Sequence, residues 1–271
     1  MRDPFLKYSL FSDHDSLLLR HSHEVLVSFL MYQFVLYPVV APAVNRMIFG
    51  QHYTRAAPRT RANFDIHTVS TVQAVLCVGM IWPLLRLPAA LPVFGFYDEY
   101  ASLVAATMVG YFVWDVYLCT RYLAVFGPGF LGHALGSLAV LLSALTPAFQ
   151  PWLGKFLIFE ASTPLVNVNW FITQLARGST SAVVPRWLPV VNGLLLLVTF
   201  FCVRIVWGVM ALIAMDYYVW RQWGPETPKL VGLLVPAINF FMTLLNFYWF
   251  YKMVRIAKKM VRASKHVAKV T

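Results

Sequence analysis

Charge is what this sequence has least of. Only 12% of its 271 residues are Asp, Glu, Lys or Arg, while 59% are hydrophobic. Soluble domains carry about a quarter charged residues, so a water-facing surface cannot be built from this chain. Acidic residues are the scarcer sign, 11 against 22 basic ones. Cysteine is scarce as well. Cys77, Cys119 and Cys202 lie in apolar runs, with no pairing pattern and no metal-ligand spacing. That excludes a disulfide framework and a cysteine metal site, and they read as small core residues. The opening residues, MRDPFLKYSLFSDHD, lack the apolar core of a cleaved signal peptide, so the first hydrophobic segment is expected to remain in the mature protein. A phosphate loop, a dinucleotide glycine fingerprint, HExxH and GxSxG are all missing. So are internal repeats, low-complexity tracts and any polar segment able to hold its own core. No cofactor and no metal is implied.

What is present is apolar sequence in long runs rather than in a 3.6-residue stripe, the pattern of helices whose solvent is lipid. Lipid cannot satisfy a free backbone N–H or C=O, so spanning segments are helices or closed barrels. Runs of about 20 residues choose helices, because barrel strands are about half as long and alternate. The expected fold is an all-α integral membrane protein with about seven spans, near 25–45, 68–92, 100–124, 128–147, 153–176, 188–214 and 230–252. The second span holds Pro83, Pro88 and Pro92, so its C-terminal end is expected to be kinked or irregular. The stretch TRAAPRTRANFD (54–65) reads as a polar loop.

A net charge of +11 raises the question of nucleic acid, but the positives cluster at span ends. The tail carries Lys252, Arg255, Lys258, Lys259, Arg262, Lys265 and Lys269, a juxtamembrane cluster suited to an anionic cytoplasmic leaflet. The expected contacts are therefore membrane lipid and the bilayer, not nucleic acid, and no protein partner is indicated. With seven spans, 14 Lys and Arg fall on the side of the tail and seven on the other, with Arg204 inside a span. The positive-inside rule places the tail in the cytoplasm and the N-terminus in the lumen.

Charges at membrane depth cost several kcal/mol and normally face protein or a wet cavity. Asp115, with Tyr111 one turn before it, reads as a proton carrier or headgroup contact, or as the structural partner of a basic group such as Arg204. His133 lies between Gly132 and Gly136, which allow close approach of a helix or substrate. Its imidazole could serve as general base, acyl carrier or core hydrogen-bonding group. Glu160 opens FEASTPLVNVNWF, where Pro164 cannot donate to the carbonyl of residue 160, and Ser162 and Thr163 can partly repair the loss. Asn167 lies seven residues on, nearly back on the same face, and Asn169 and Trp170 follow. A polar chamber lined by these groups and a kinked helix pairing with its neighbours both fit. Arg204 could neutralise Glu160 or Asp115, or bind an anionic headgroup. Asn239 and Asn246 share a face of the last span and read as packing groups, and Tyr248, Trp249 and Tyr251 read as an interfacial belt.

Taken in order, FDIHTVSTVQAVL, GYFVWDVYLC, GFLGHALGSLAVLLSAL, FEASTPLVNVNWF and NFYWFYKMVRIAKK resemble the TLC domain of ceramide synthases, translocating-chain-associating membrane proteins and lipid-homeostasis proteins. The resemblance is closest to the subgroup typified by transmembrane protein fifty-six, and FDIHTVSTVQ is similar to fungal members. It divides the chain into an N-terminal segment with the first span (1–61), a TLC-like domain (62–262) and the end of the basic tail (263–271). It implies six family spans in a barrel-like bundle around a central cavity, with one extra N-terminal span. It also implies the endoplasmic reticulum or a connected membrane, and lipid as ligand.

Ceramide synthases carry adjacent histidines where this chain has Gly132-His133, and acidic pairs where it has only Glu160 followed by Ala161-Ser162-Thr163. Both departures count against acyl-CoA-dependent N-acylation. Three functions follow. The first is lipid homeostasis by binding, moving or sensing a lipid, without catalysis. The second is a ceramide-synthase-type acyltransferase in which His133, Glu160 and Asp115 are the candidate catalytic groups. The third is a helper for membrane cargo or translocating chains.

Overall fold

The computed structural model describes residues 2–177, 184–185 and 187–270, with side chains placed through 259. Arg186 and the tail side chains of Arg262, Lys265 and Lys269, counted above for orientation, lie outside the described residues. The protein is an all-α membrane protein. Among the described residues, five helices are long and apolar enough to cross a bilayer: α1 (Ser22–Phe49), α2 (Pro58–Ile81), α3 (Glu99–Arg121), α6 (Trp187–Arg221) and the Lys229–Lys259 part of α7 (Lys229–Val270).

Between α3 and α6 lie two segments of a different kind. α4 (Pro128–Ala144) has 17 residues, about 25 Å at 1.5 Å per residue, which is short of a ~30 Å hydrocarbon core. The expected fifth span is broken. A helical turn at Leu153–Leu157 passes into a 3-10 turn at Ile158–Ser162, and α5 (Thr163–Ala176) starts only then.

Four sequence expectations need correction. The 54–65 segment is not a loop throughout, because α2 begins at Pro58, where a missing N–H costs nothing in the first turn. α2 ends at Ile81 rather than near 92, since Pro83 stops it and the chain continues irregularly through Pro88 and Pro92. That irregularity is the one the prolines predict. In that segment the Leu87 carbonyl accepts from Lys155 Nζ at 2.7 Å, and the same ammonium donates to Pro151 O, four residues before it, at 2.8 Å. Lys155 is therefore a buried staple, not an interfacial charge. Finally, Cys77 and Cys119 are buried but Cys202 is exposed on the outer surface of α6.

The bundle is organised around α3, whose small residues Ala101, Ala105 and Ala106 are fully buried. Asp98 caps its N-terminus, accepting from Ala101 N at 2.8 Å. α1 crosses α3 at Gly110, where a Cβ would stand 2.5 Å from both Val25 O and Ser28 Cβ. Ser28 Oγ donates to Thr107 O at 2.7 Å in the same contact. α4 meets α7 through Gly136, where a Cβ would stand 3.2 Å from Ile238 Cγ2 and Met242 Sδ. The close approach that Gly136 permits is thus used by a helix.

Among the described residues, two π-helical stretches interrupt the long helices. Met31–Val40 contains Pro38, whose lack of an N–H shifts the local hydrogen-bond ladder. Phe201–Val206 contains Arg204. The outer faces expose Phe34, Ile48, Val75, Leu194, Ile213 and Leu233, while Asn45, Asp65, Gln73, Asn167, Arg204 and Asn246 are buried. Apolar outside and polar inside is the arrangement that lipid as solvent requires.

Candidate functional site

The broken fifth segment, α4, α6 and α7 line an open-mouthed cavity of about 80 Å³. Most of its wall is apolar, from residues such as Phe112, Leu141, Phe156, Met215 and Val235. Polar groups enter from His133 and Ser137 on α4, Glu160 on the 3-10 turn, Arg204 on α6, and Asn239 and Asn246 on α7.

Pro164 explains how Glu160 comes to face this space. Without a Pro164 N–H, the Glu160 carbonyl takes a 3-10 bond from Thr163 N, and Ser162 Oγ donates to Phe159 O at 3.0 Å. The proline sits in the first turn of α5, so the helix restarts there instead of bending in mid-course. A 3-10 turn advances each residue about 20° further than an α-helix does, so residues 160–162 add about 60° ahead of Asn167. Glu160 lines the cleft, while Asn167 bonds to α2.

Arg204 is the hub of the polar end. Its Nε donates to Ser162 Oγ at 2.8 Å, Nη2 to Thr163 Oγ1 at 3.2 Å and Nη1 to Asn246 Oδ1 at 3.4 Å. Nη2 lies 3.7 Å from Glu160 Oε1, a loose ion pair, while Thr163 Oγ1 donates to Glu160 Oε2 at 2.8 Å. The guanidinium also lies over the rings of Phe200 and Phe159, at 5.4 and 5.9 Å. Its carboxylate partner is Glu160 and not Asp115. His133 stands edge-on to Phe112 and Trp249, with centroids 6.2 and 5.6 Å away, and makes no hydrogen bond among the described residues. The cleft thus offers one carboxylate, one guanidinium, one free imidazole and a long apolar wall. That set can hold a zwitterionic or anionic polar group with chains attached.

Of the residues singled out in the sequence, His133, Glu160 and Arg204 meet at this cleft, and Asp115, Asn167, Asn169 and Trp170 do not line it. Asp115 is half-buried on α3 and accepts from Cys119 Sγ at 3.7 Å. Asn167 bridges α5 to α2: His67 Nδ1 and Asn167 Oδ1 are 2.8 Å apart, and Asn167 Nδ2 donates to Thr71 Oγ1 at 2.9 Å. Trp170 stacks on His67 with centroids 4.2 Å apart, and Asn169 is exposed. Trp249 is half-buried against His133 and Phe130, so only Tyr248 and Tyr251 of the expected belt face outward.

Sequence reasoning missed the polar residues of α2. His67 and Thr71 make the joint to α5. Asp65 and Thr68 make one to α1, where Asn45 Nδ2 donates to Asp65 Oδ1 at 2.8 Å, Tyr53 OH donates to the same oxygen at 2.9 Å, and Thr68 Oγ1 donates to Asn45 Oδ1 at 2.7 Å. Burial beside Asp65 pushes the Tyr53 phenol up to about 12. The signal was available in FDIHTVST, whose polar residues recur at helical spacing just before an apolar run.

Known proteins place these observations in a family. The TLC domain profile matches residues 63–255. The chain is 44% identical to Topoisomerase I damage affected protein 4 of Saccharomyces cerevisiae, over 97% of this chain and 93% of that one. It is 31% identical to an uncharacterized TLC domain-containing protein of Schizosaccharomyces pombe, over 91% and 82% of the two chains. It is 27% identical to TLC domain-containing protein 4 of Xenopus tropicalis, over 87% and 90%. The match runs from the joint residues of α2, through the cleft, to the last span, and the protein belongs to the TLC domain family.

Proposed function

We propose that this protein binds and handles a membrane lipid, with the headgroup at the Glu160–Arg204 end of the cleft and the chains along its apolar wall. Its role is lipid homeostasis in the endoplasmic reticulum or a connected membrane, with the basic tail on the cytoplasmic side. The observation that carries this reading is the pairing of a charged end with a long apolar wall inside a bundle whose outer surface is itself apolar. A buried Arg and Glu held only 3.7 Å apart, with neutral hydroxyl and amide groups completing the guanidinium, are poised for a second anion or cation without being neutralised by each other alone.

The test is to purify the protein in mild detergent and identify co-purifying lipids by mass spectrometry, alongside Glu160→Gln and Arg204→Met. Enrichment of one phospholipid or sphingolipid class in the wild type, lost in both variants, is expected. Lipid content that follows the bulk membrane in all three proteins would refute the reading.

One observation favours a second reading, acyl transfer. His133 reaches the same cleft with both ring nitrogens uncommitted among the described residues, as a base or acyl carrier needs. Against it, among the described residues no carboxylate bonds His133 to orient it. Single-turnover assays with a radiolabelled fatty acyl-CoA and sphingoid or lysolipid acceptors separate the two. Turnover abolished by His133→Ala would support acyl transfer.

A further inference from the structure

Away from the cleft, the N-terminal segment folds back over the start of α1 and brings Asp3, His21 and Glu24 together. One ligand-type atom from each lies within 4.8 Å of the others. His21 Nδ1 is 2.8 Å from Glu24 Oε2 and 3.4 Å from Asp3 Oδ2. The side chains of Asp3 and His21 are 0% exposed and that of Glu24 is 5% exposed. Two carboxylates buried side by side repel, and one imidazole carries at most a single compensating charge.

Hydrogen-bond accounting leaves the cluster incomplete. Asp3 Oδ2, which faces His21 Nδ1, is buried with no hydrogen-bond partner, whereas buried polar atoms are paired in the large majority of cases; His21 Nδ1 and Glu24 Oε2 are bonded to each other. The arrangement is held from outside. Asp3 Oδ1 accepts from Phe5 N at 2.8 Å, and Asp3 N donates to Glu99 Oε2 at 3.1 Å. The Asp3 carboxylate is thereby fixed with its unpaired oxygen toward the imidazole. His23 stands beside the cluster, its Nε2 3.6 Å from Glu24 Oε1.

We infer that Asp3, His21 and Glu24 bind a divalent metal ion of the zinc class, which pins the N-terminal segment to the shared end of α1 and α3. One imidazole nitrogen with two carboxylate oxygens is a donor set suited to Zn²⁺. Bonds of about 2.0–2.2 Å in a tetrahedral arrangement put neighbouring ligand atoms about 3.3–3.6 Å apart. The Nδ1–Oδ2 distance of 3.4 Å already matches that edge. The Nδ1–Oε2 distance of 2.8 Å needs only a small side-chain rotation to open. A dication also offsets both buried carboxylates, which a neutral imidazole cannot. No residue of the lipid cleft takes part, so this inference and the proposed function stand or fall separately.

The test uses the full chain in mild detergent, without a polyhistidine tag. The protein is stripped with a chelator and titrated with Zn²⁺, with Mg²⁺ as comparator. Bound metal is counted by elemental mass spectrometry after gel filtration, and Tm is followed with each ion. One zinc per chain and a Tm that rises with Zn²⁺ but not Mg²⁺ are expected. Asp3→Asn and Glu24→Gln, both isosteric, should each weaken zinc binding at least tenfold. His14→Asn, at an exposed histidine of the same segment, should leave binding unchanged. Wild-type protein that retains no zinc overturns the site even if a variant fails to fold. Undiminished zinc affinity in the folded Asp3→Asn and Glu24→Gln variants overturns it equally.

Discussion

Arg204 and Glu160 decide between a structural and a ligand-binding use of the same contact. Breaking a buried ion pair by removing one partner typically costs about 3–5 kcal/mol, because the other charge is left uncompensated. Here the guanidinium keeps three neutral acceptors, Ser162, Thr163 and Asn246, whatever stands at 160. Glu160→Gln should therefore cost no more than about 1 kcal/mol, seen as a small Tm shift, while lipid binding is lost. Arg204→Met added to it should restore nothing. A large loss of Tm in Glu160→Gln that the double variant repairs, with lipid retained throughout, would make the pair a structural one and remove Glu160 from the proposed site.

At the scale of elements, the cleft depends on where helices are allowed to touch and where one is forced to break. The α1–α3 crossing leaves no room at Gly110, where an added Cβ meets backbone as well as side chain at 2.5 Å. Gly79 on α2 has nothing within 4 Å of the same position. Gly110→Ala should lower stability by about 1–3 kcal/mol through overpacking. Gly79→Ala should be neutral or stabilising by up to about 1 kcal/mol through helix propensity. Thermal melts of the two variants in one detergent check the contrast, and equal melting points would mean that α1 is not seated on α3 as described. The break at 158–162 has the opposite character. It gives up an α-helical register beside the cleft, with Glu160 facing the cleft and Asn167 bonded to α2.

For the whole molecule, the distribution of charge is the remaining handle. Moving Lys155 from the interfacial set to the buried one leaves six Lys and Arg opposite the 14 on the side of the tail. With seven spans and the proposed cytoplasmic tail, the asymmetry between the two sides therefore grows. A glycosylation acceptor fused after Thr271 should stay unmodified in cells, read as an unchanged mobility before and after deglycosylation. Efficient modification there would invert the proposed orientation.

Much of the architecture was legible along the chain because it depends on composition over windows of about 20 residues, which tertiary contacts cannot alter. A chain so poor in charge and so rich in long apolar runs has to satisfy its backbone within helices. The TLC family could be read from FEASTPLVNVNWF and its companions for a related reason: their polar residues are ones that lipid will not tolerate unless they are used. His133, Glu160 and Arg204 were legible as buried polar groups on the same grounds.

What they do to one another was not. Periodicity carries Glu160 and Asn167 toward one face, but the neighbouring helices decide their partners, Arg204 for Glu160 and His67 and Thr71 for Asn167. Lys155 reads as an interface charge until the Leu87 carbonyl of the proline-rich segment is seen to accept a hydrogen bond from it. Asp3, His21 and Glu24 have no motif spacing, and only the return of the N-terminal segment over α1 and α3 makes them a cluster. Solvent preference and backbone satisfaction are properties of local sequence. Which polar groups meet is set by helix phase and chain return, and these exist only in the folded bundle.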